Sequence, residues 1–537
     1  MRQVAGKAGS SGSDGLSNEA RERRRLAETL AHEREKVRKL KTRLARLEAA
    51  EEANTAEIRR LYTGLTLERQ APELSAALEA EWVDRAAQAR LRAQARGGDL
   101  DNCSGAPQPQ GGLFEPSPPS RPLSAVAGPP LRVAITSIGP SPLVGCTDPR
   151  VVARQLGDPL VGTADVLVFP RTEVRTYHQD ARHVPEALWR GVREGRVRVV
   201  LDASGEGHPH SAANSQDHHA FLQAHGADPA QTMFLTQDRG YREDYEAWAR
   251  AEGLAPMRVH VFDSYIGRVF SEFEISGDAV FRHRLARYLR RGPQRARRFL
   301  SLNYTPRPTK LLFLLRLLRD GLWEQGWISF AGFVAEGEEG LSRAAAVKRL
   351  LALEGFEEEA RTLLPLVDQL EAMDPVMFMA EKFKLHGKQR ARAVQAMEIE
   401  EYGHSWFSVV TETEMSGRLH RITEKPLKPL LGFHPFLVLG NPGALQLLRG
   451  YGFESFSGVF DERYDTEPDP RRRFDMVYDE FRRLCALEEP EMARVSAELS
   501  EIVTFNACWG LTELPRRFSQ SLLKELVDQL VSLRPTA

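Results

Sequence analysis

The sequence predicts an α/β protein, a pair of Rossmann-like domains facing each other across a cleft, preceded by an N-terminal α-helical coiled coil. Three observations carry this. From residue 131 onward, short apolar and β-branched runs alternate with helical patterns, as in parallel sheets covered on both faces. The alternation restarts after a basic segment, RRGPQRARR, so two such units follow one another. Ahead of both lies an Arg/Glu/Leu/Ala-rich stretch with an apolar seam at heptad spacing.

Residues 1–18 are small, polar and rich in Gly and Ser, the composition of a disordered tail. Neither Pro nor Gly then occurs before Gly64. The seam runs through Leu26, Leu30, Val37, Leu40, Leu44, Leu47, Ile58, Leu61 and Leu65, interrupted by Glu33, Glu51 and Asn54. Such a seam predicts self-association through residues 19–65, the polar positions trading stability for register. A second helical stretch, Glu73 to Gln94, completes a helical region over 19–97. The Pro/Gly/Ser-rich segment 98–129 reads as a linker.

In the first domain, 130–290, strands are expected at LRVAITSI (131–138), ADVLVFP (164–170), RVRVVLDAS (196–204), QTMFLTQ (231–237) and MRVHVFD (257–263). Helices are expected at VPEALWRGVREG, around His219 to His225, and at EDYEAWARAEG. In the second, 291–537, the strands are FLSLNY (299–304), WISFAGF, HSWFSVVTE (404–412) and Pro435 to Leu439. Its helices are KLLFLLRLLRDGLWEQG, GALQLLRGYG and three at the end, 470–487, 489–507 and 515–533. A charged helical insertion occupies about 341–398. In such open sheets, ligands sit beyond the carboxyl ends of the strands.

The bulk numbers exclude several classes of function. The chain has 537 residues and a formal net charge of −1, so no global field draws it to nucleic acid or an acidic membrane. Its four cysteines are widely spaced and fit a reducing compartment without a zinc site or disulfide framework. The N-terminus lacks a signal peptide's apolar run, and no apolar segment is long enough to span a bilayer. A cytoplasmic place is expected, peripheral to the inner membrane only through partners. His208, His210, His218 and His219 fit no standard metal spacing, and no metal is expected. AITSIGPSPLVG at the first strand lacks the dinucleotide fingerprint, which argues against an epimerase-type enzyme.

The segment RITEKPLKPLLGFHPFLVLG places Thr423, Glu424 and Lys425 at the mouth of a short helix upstream of a core strand. A helix start favours anions such as phosphate. Thr423 is the expected N-cap, Lys425 a mobile charge for a diphosphate, and Glu424 an acceptor for ribose hydroxyls. Pro429 is expected to kink or restart the helix. Arg307 and Lys310, in TPRPTK, stand at another helix start and could pair the same diphosphate.

These motifs resemble the α-1,3-fucosyltransferase family and related bacterial and phage glycosyltransferase-like proteins. The correspondents are Phe407 and Ser408, Glu412 or Glu414 (the latter preferred), Ile422-Thr423-Glu424-Lys425, Gly432, Pro435 and Gly440. SLNYTPRPTKLL and GFESFSGVFDERYD, flanking the segment, extend the resemblance over about Phe299 to Asp465. It implies a GT-B architecture and sugar transfer from a nucleotide sugar without an essential metal or other cofactor. Glu424 would bind the ribose and Lys425 the diphosphate. Arg421 stands where the family has tyrosine, so the resemblance does not fix GDP-fucose as donor. A glycan or protein would accept the sugar, in surface-polysaccharide or glycoconjugate assembly. Inversion needs a base from the first domain, and the loop LDASGEGHPH offers Asp202, Glu206 and His208. Glu206 is preferred because the flanking Gly205 and Gly207 allow close approach. The alternative is a non-catalytic oligomeric scaffold that keeps a degenerate sugar-nucleotide fold.

Overall fold

The apolar runs build two all-parallel sheets in an α/β chain. The structure, a computed structural model, describes residues 129–534 less 137–140, 144, 145, 147, 157, 159–162, 171–173, 206, 267–283, 285–287, 289, 290, 292–294, 335–340, 377, 379–399, 416–418 and 519–521. The side chains of residues 174, 175 and 516 are likewise left aside. The tail, coiled coil and linker expected over 1–128 lie outside the described residues, as does Glu206.

The first sheet comprises β1 (Leu131–Ile135), β2 (Val151–Gln155), β3 (Val166–Phe169), β4 (Arg198–Asp202), β5 (Met233–Thr236) and β6 (Arg258–Val261). Their order is β2-β1-β3-β4-β5-β6. The central strands are buried on both faces, which is why they read as unbroken apolar runs. Only β2 was not anticipated. It is an edge strand whose last residues, Arg154 and Gln155, are exposed, so it lacks the apolar continuity that marks the others.

One face of this sheet is covered by α1 (Val174–Ala181), α2 (Glu186–Arg193), α3 (Ala212–His225) and α4 (Tyr241–Ala251). Tyr177, Trp189, Phe221, Leu222 and Tyr245 from these helices pack with Phe169, Leu201 and Phe234. Helix α1 is mostly polar, its apolar residues confined to Val174, Tyr177 and Ala181, and was not among the expected helices; α3 begins at Ala212 rather than near His219. The polar Ser211–Asn214 stretch is its cap: Ser211 Oγ accepts from the Asn214 amide at 3.2 Å.

The second sheet comprises β7 (Arg297–Asn303), β8 (Gly326–Phe330), β9 (Ser405–Thr411) and β10 (Phe436–Leu439), ordered β8-β7-β9-β10. After β7 comes α5 (Pro308–Arg319), buried almost all round, including Lys310 and Arg316. A helix apolar on every side must be enclosed. Here α6 (Arg343–Leu351), α7 (Glu357–Leu363) and α8 (Pro365–Glu371), the described part of the expected insertion, pack against it. Arg316 ties the layers together, bidentate to Glu359 at 2.7 and 2.8 Å and bonded to Asp475 at 2.6 Å.

Further along come α9 (Glu424–Leu431), α10 (Ala444–Gly450), α11 (Pro470–Ala486), α12 (Glu489–Glu498) and α13 (Ser500–Cys508). A wide turn, Trp509–Glu513, leads to α14 (Leu514–Arg517) and α15 (Leu523–Ser532). The helix expected over 489–507 is thus divided at Leu499.

By packing, α15 belongs to the first sheet, not the second. Leu526, Val527, Leu530 and Leu533 lie with Leu131, Val133, Val166, Val168 and Val200 in one core. Arg150 pairs with Asp528 at 2.5 Å and Arg198 Nε donates to the Leu533 carbonyl at 3.0 Å. Among the described residues, no helix is long and apolar enough to cross a membrane. In both sheets the first strand lies between the second and third, which opens a crevice beyond the carboxyl ends at that point.

Candidate functional site

The crevice of the second sheet lies beyond Asn303 and Thr411, where β7 and β9 end. Its floor is a buried polar bridge: Thr411 Oγ1 donates to Asn303 Oδ1 at 2.6 Å, and Asn303 Nδ2 to Ser301 Oγ at 2.9 Å. With every member bonded, such a bridge fixes both strand ends. The residues singled out in the sequence follow directly from these two strands.

Thr423 caps α9 as expected, its Oγ1 accepting from the Lys425 amide at 3.2 Å. The same hydroxyl donates to Glu412 Oε1 at 2.5 Å. Lys425 Nζ lies 3.5 Å from Glu412 Oε2 and 3.4 Å from Glu424 Oε1. Burial opposes the charge on Lys425, but the two carboxylates hold its pKa above the ordinary value. Burial would likewise raise the Glu424 carboxyl; Lys425, Lys428 and Lys310 instead bring it down to about 2. Glu412, rather than the preferred Glu414, is therefore the carboxylate joined to this cluster. Glu414 lines an adjoining shallow cleft between Glu412 and the Asn441-Pro442 turn.

The start of α9 offers few amides to an anion. The Lys425 amide serves the cap, Pro426 has none, and the Glu424 amide bonds its own carboxylate. Pro429 does not restart this helix, which runs on to Leu431. In a helix of two turns the missing amide costs one bond only.

The start of α5 is different. Its N-cap, Arg307, makes no side-chain cap bond, and Pro308 at the first position carries no amide. That leaves the Thr309 and Lys310 amides as the orphan donors of the terminus. Arg307 is exposed. Lys310 is 5% exposed, and among the described residues no carboxylate comes within ion-pair distance of it. Burial, then the like charge of Lys425, pushes Lys310 down to about 7. Cations at a helix start oppose the macrodipole and persist where an anion can join them. Arg421, behind the cap, adds a buried Nη1 with no hydrogen-bond partner among the described residues.

The first domain reaches this site through a clasp that the sequence did not reveal. Asp238 Oδ1 accepts from the His420 amide at 3.0 Å, while the Arg239 amide donates to the His420 carbonyl at 3.1 Å. Arg239 also pairs with Asp263 at 2.5 Å, and Tyr451 Oη donates to the same carboxylate. The carboxyl ends of β5 and β6 thus abut the strap that leads into α9. Arg473 braces the strap's other side from α11. Its Nε donates to the Gly440 carbonyl at 2.9 Å and its Nη2 to the Met415 carbonyl at 2.6 Å.

At the end of β4, Asp202 is buried, with Oδ1 accepting from the Ser204 amide at 3.0 Å and Ser204 Oγ at 2.6 Å. Burial raises its pKa, against the pull of those bonds. The space expected beside Gly207 is not open. Its φ is +63°, and a Cβ there would stand 2.7 Å from Gln237 Cβ, so glycine serves loop packing rather than substrate approach. His218 and His219 sit inside the helical layer, His219 Nε2 being 2.9 Å from Tyr245 Oη. No protein-family model, curated protein or solved structure significantly matches the chain.

Proposed function

We propose that the protein is a glycosyltransferase that takes its sugar from a nucleoside-diphosphate donor, its two sheets forming a GT-B-like pair. The acceptor is a glycan or protein in surface-polysaccharide or glycoconjugate assembly. The observation that carries this reading is Lys310, a buried lysine with no carboxylate at ion-pair distance among the described residues, at an uncapped helix start. With Arg307 and Arg421 nearby in the fold, it favours an anion of more than one negative charge. The donor's diphosphate is such an anion, and stabilising it as it departs is the main electrostatic task of glycosyl transfer.

In this reading Glu424, held ionised, accepts from the ribose hydroxyls, and Thr423 and Glu412 fix the position of Lys425. Lys425 arrives shared between two carboxylates, so it orients Glu424 as well as facing the diphosphate. Glu206 remains the base for an inverting reaction. It takes the acceptor hydroxyl's proton as that oxygen bonds the anomeric carbon, and the electron pair of the broken bond leaves on the diphosphate. The resemblance of Phe299 to Asp465 to fucosyltransferases supports the same reading.

Calorimetric titration of GDP, UDP, CMP and dTDP tests it. One nucleotide should bind the wild type and be lost in a Glu424→Ala, Lys425→Ala double variant. Absence of binding by all four, in folded protein, would replace the enzyme with the oligomeric scaffold.

A further inference from the structure

Tyr304 follows the last residue of β7 and precedes Arg307 and Lys310 on the same turn. Its backbone is fixed, the carbonyl accepting from the Ala331 amide at 3.3 Å. The residue is 37% exposed, and among the described residues only Leu254 is a comparably exposed large hydrophobic. No ring, cation or hydrogen-bond contact engages the Tyr304 side chain among the described residues. A lone exposed aromatic is ordinary on a protein surface. This one stands just beyond the carboxyl end of β7, six positions before Lys310, a buried lysine with no carboxylate at ion-pair distance among the described residues.

We propose that Tyr304 is the platform on which the heteroaromatic base of the bound nucleotide stacks, while Lys310 and Arg307 hold its diphosphate. The inference rests on the diphosphate reading above and adds to it the means by which a nucleotide is told from bare diphosphate. Every nucleobase presents a π-face, and stacking on one aromatic ring needs no partner from the rest of the site. A side chain left free of other contacts, on a backbone already anchored, loses little freedom when a base settles on it.

The test is titration calorimetry on the full chain with GDP, UDP, ADP, dTDP and inorganic diphosphate, using wild type, Tyr304→Ala and Tyr304→Phe. The preferred nucleotide should bind wild type about tenfold or more tighter than inorganic diphosphate does. Tyr304→Ala should lose about tenfold for the nucleotide and nothing for inorganic diphosphate, with Tyr304→Phe within about twofold of wild type. If Tyr304→Ala binds the nucleotide as wild type does, or loses both ligands equally, the stacking role is overturned and the diphosphate site stands. If wild type binds neither inorganic diphosphate nor any nucleotide, both readings fall.

Discussion

Replacing Lys310 by Met should stabilise the ligand-free protein at neutral pH. In the unfolded chain this ammonium titrates at its ordinary 10.5; in the fold it is pushed down to about 7. The folded state therefore holds the proton less well than the unfolded state. The resulting penalty is complete below pH 7 and fades as pH rises through 10.5. At about 1.36 kcal/mol for each tenfold change in proton affinity, the upper bound is about 5 kcal/mol. Relaxation of the neighbours, and the loss to Glu424 of one of its three cations, reduce this to roughly 2–4 kcal/mol. Met keeps most of the apolar stem, so the cavity cost is small. The assay is urea unfolding of both proteins at pH 7 and pH 10.5. The variant should have the higher midpoint at pH 7, and the gap should close by pH 10.5. A variant less stable at pH 7, or a gap that does not narrow, would mean that Lys310 already has its counter-charge. The reasoning from an unpaired buried cation would then be wrong.

Two further outcomes follow from burial. Arg473 is 1% exposed and donates to the carbonyls of Met415, Gly440, Glu467 and Pro468; Arg473→Met should cost about 3–5 kcal/mol in urea unfolding. Lysine, lacking the planar fork, should recover less than half of that. The second concerns acid. Burial lowers His218 and His260 to about 4 and His434 to about 3. Each protonates more readily when unfolded, so stability present above pH 6.5 should fall away as pH drops toward 4. His218 has no hydrogen-bond partner on either ring nitrogen among the described residues, so His218→Phe should flatten that decline, read as urea midpoint against pH.

Most strands were legible because a parallel strand buried on both faces writes an unbroken apolar run, as in VLVF of β3. Where a strand borders solvent, as β2 does, that signal vanishes. The cap at Thr423 was legible because capping is local, set by residues two apart. Partnerships across the chain were not. Asp238 and His420 are 182 positions apart, and nothing in either local sequence names the other. The same limit applies to Lys310, where a lysine at a helix start reads as solvated. In the fold it is buried near Glu412, Glu424 and Lys425, residues more than a hundred positions away in the sequence. Glu412 and Glu414 differ by a single residue spacing, and only the strand's end point decided which of them meets Lys425.

The return of α15 to the first sheet has a consequence for how the molecule is made. Arg150 must wait for Asp528, 378 positions later, before one face of its sheet is covered. At roughly 5–20 residues per second, that delay is on the order of 20 to 75 seconds of translation. During that time Leu131, Val133, Val166 and Val168 present an apolar face with no native cover, a surface that invites chaperones or aggregation. A frameshift or stop codon just ahead of Leu523 would spare every residue described at the crevice of the second sheet. It would nonetheless uncover one face of the first sheet, so loss of the last helix should behave as a folding defect of the first domain.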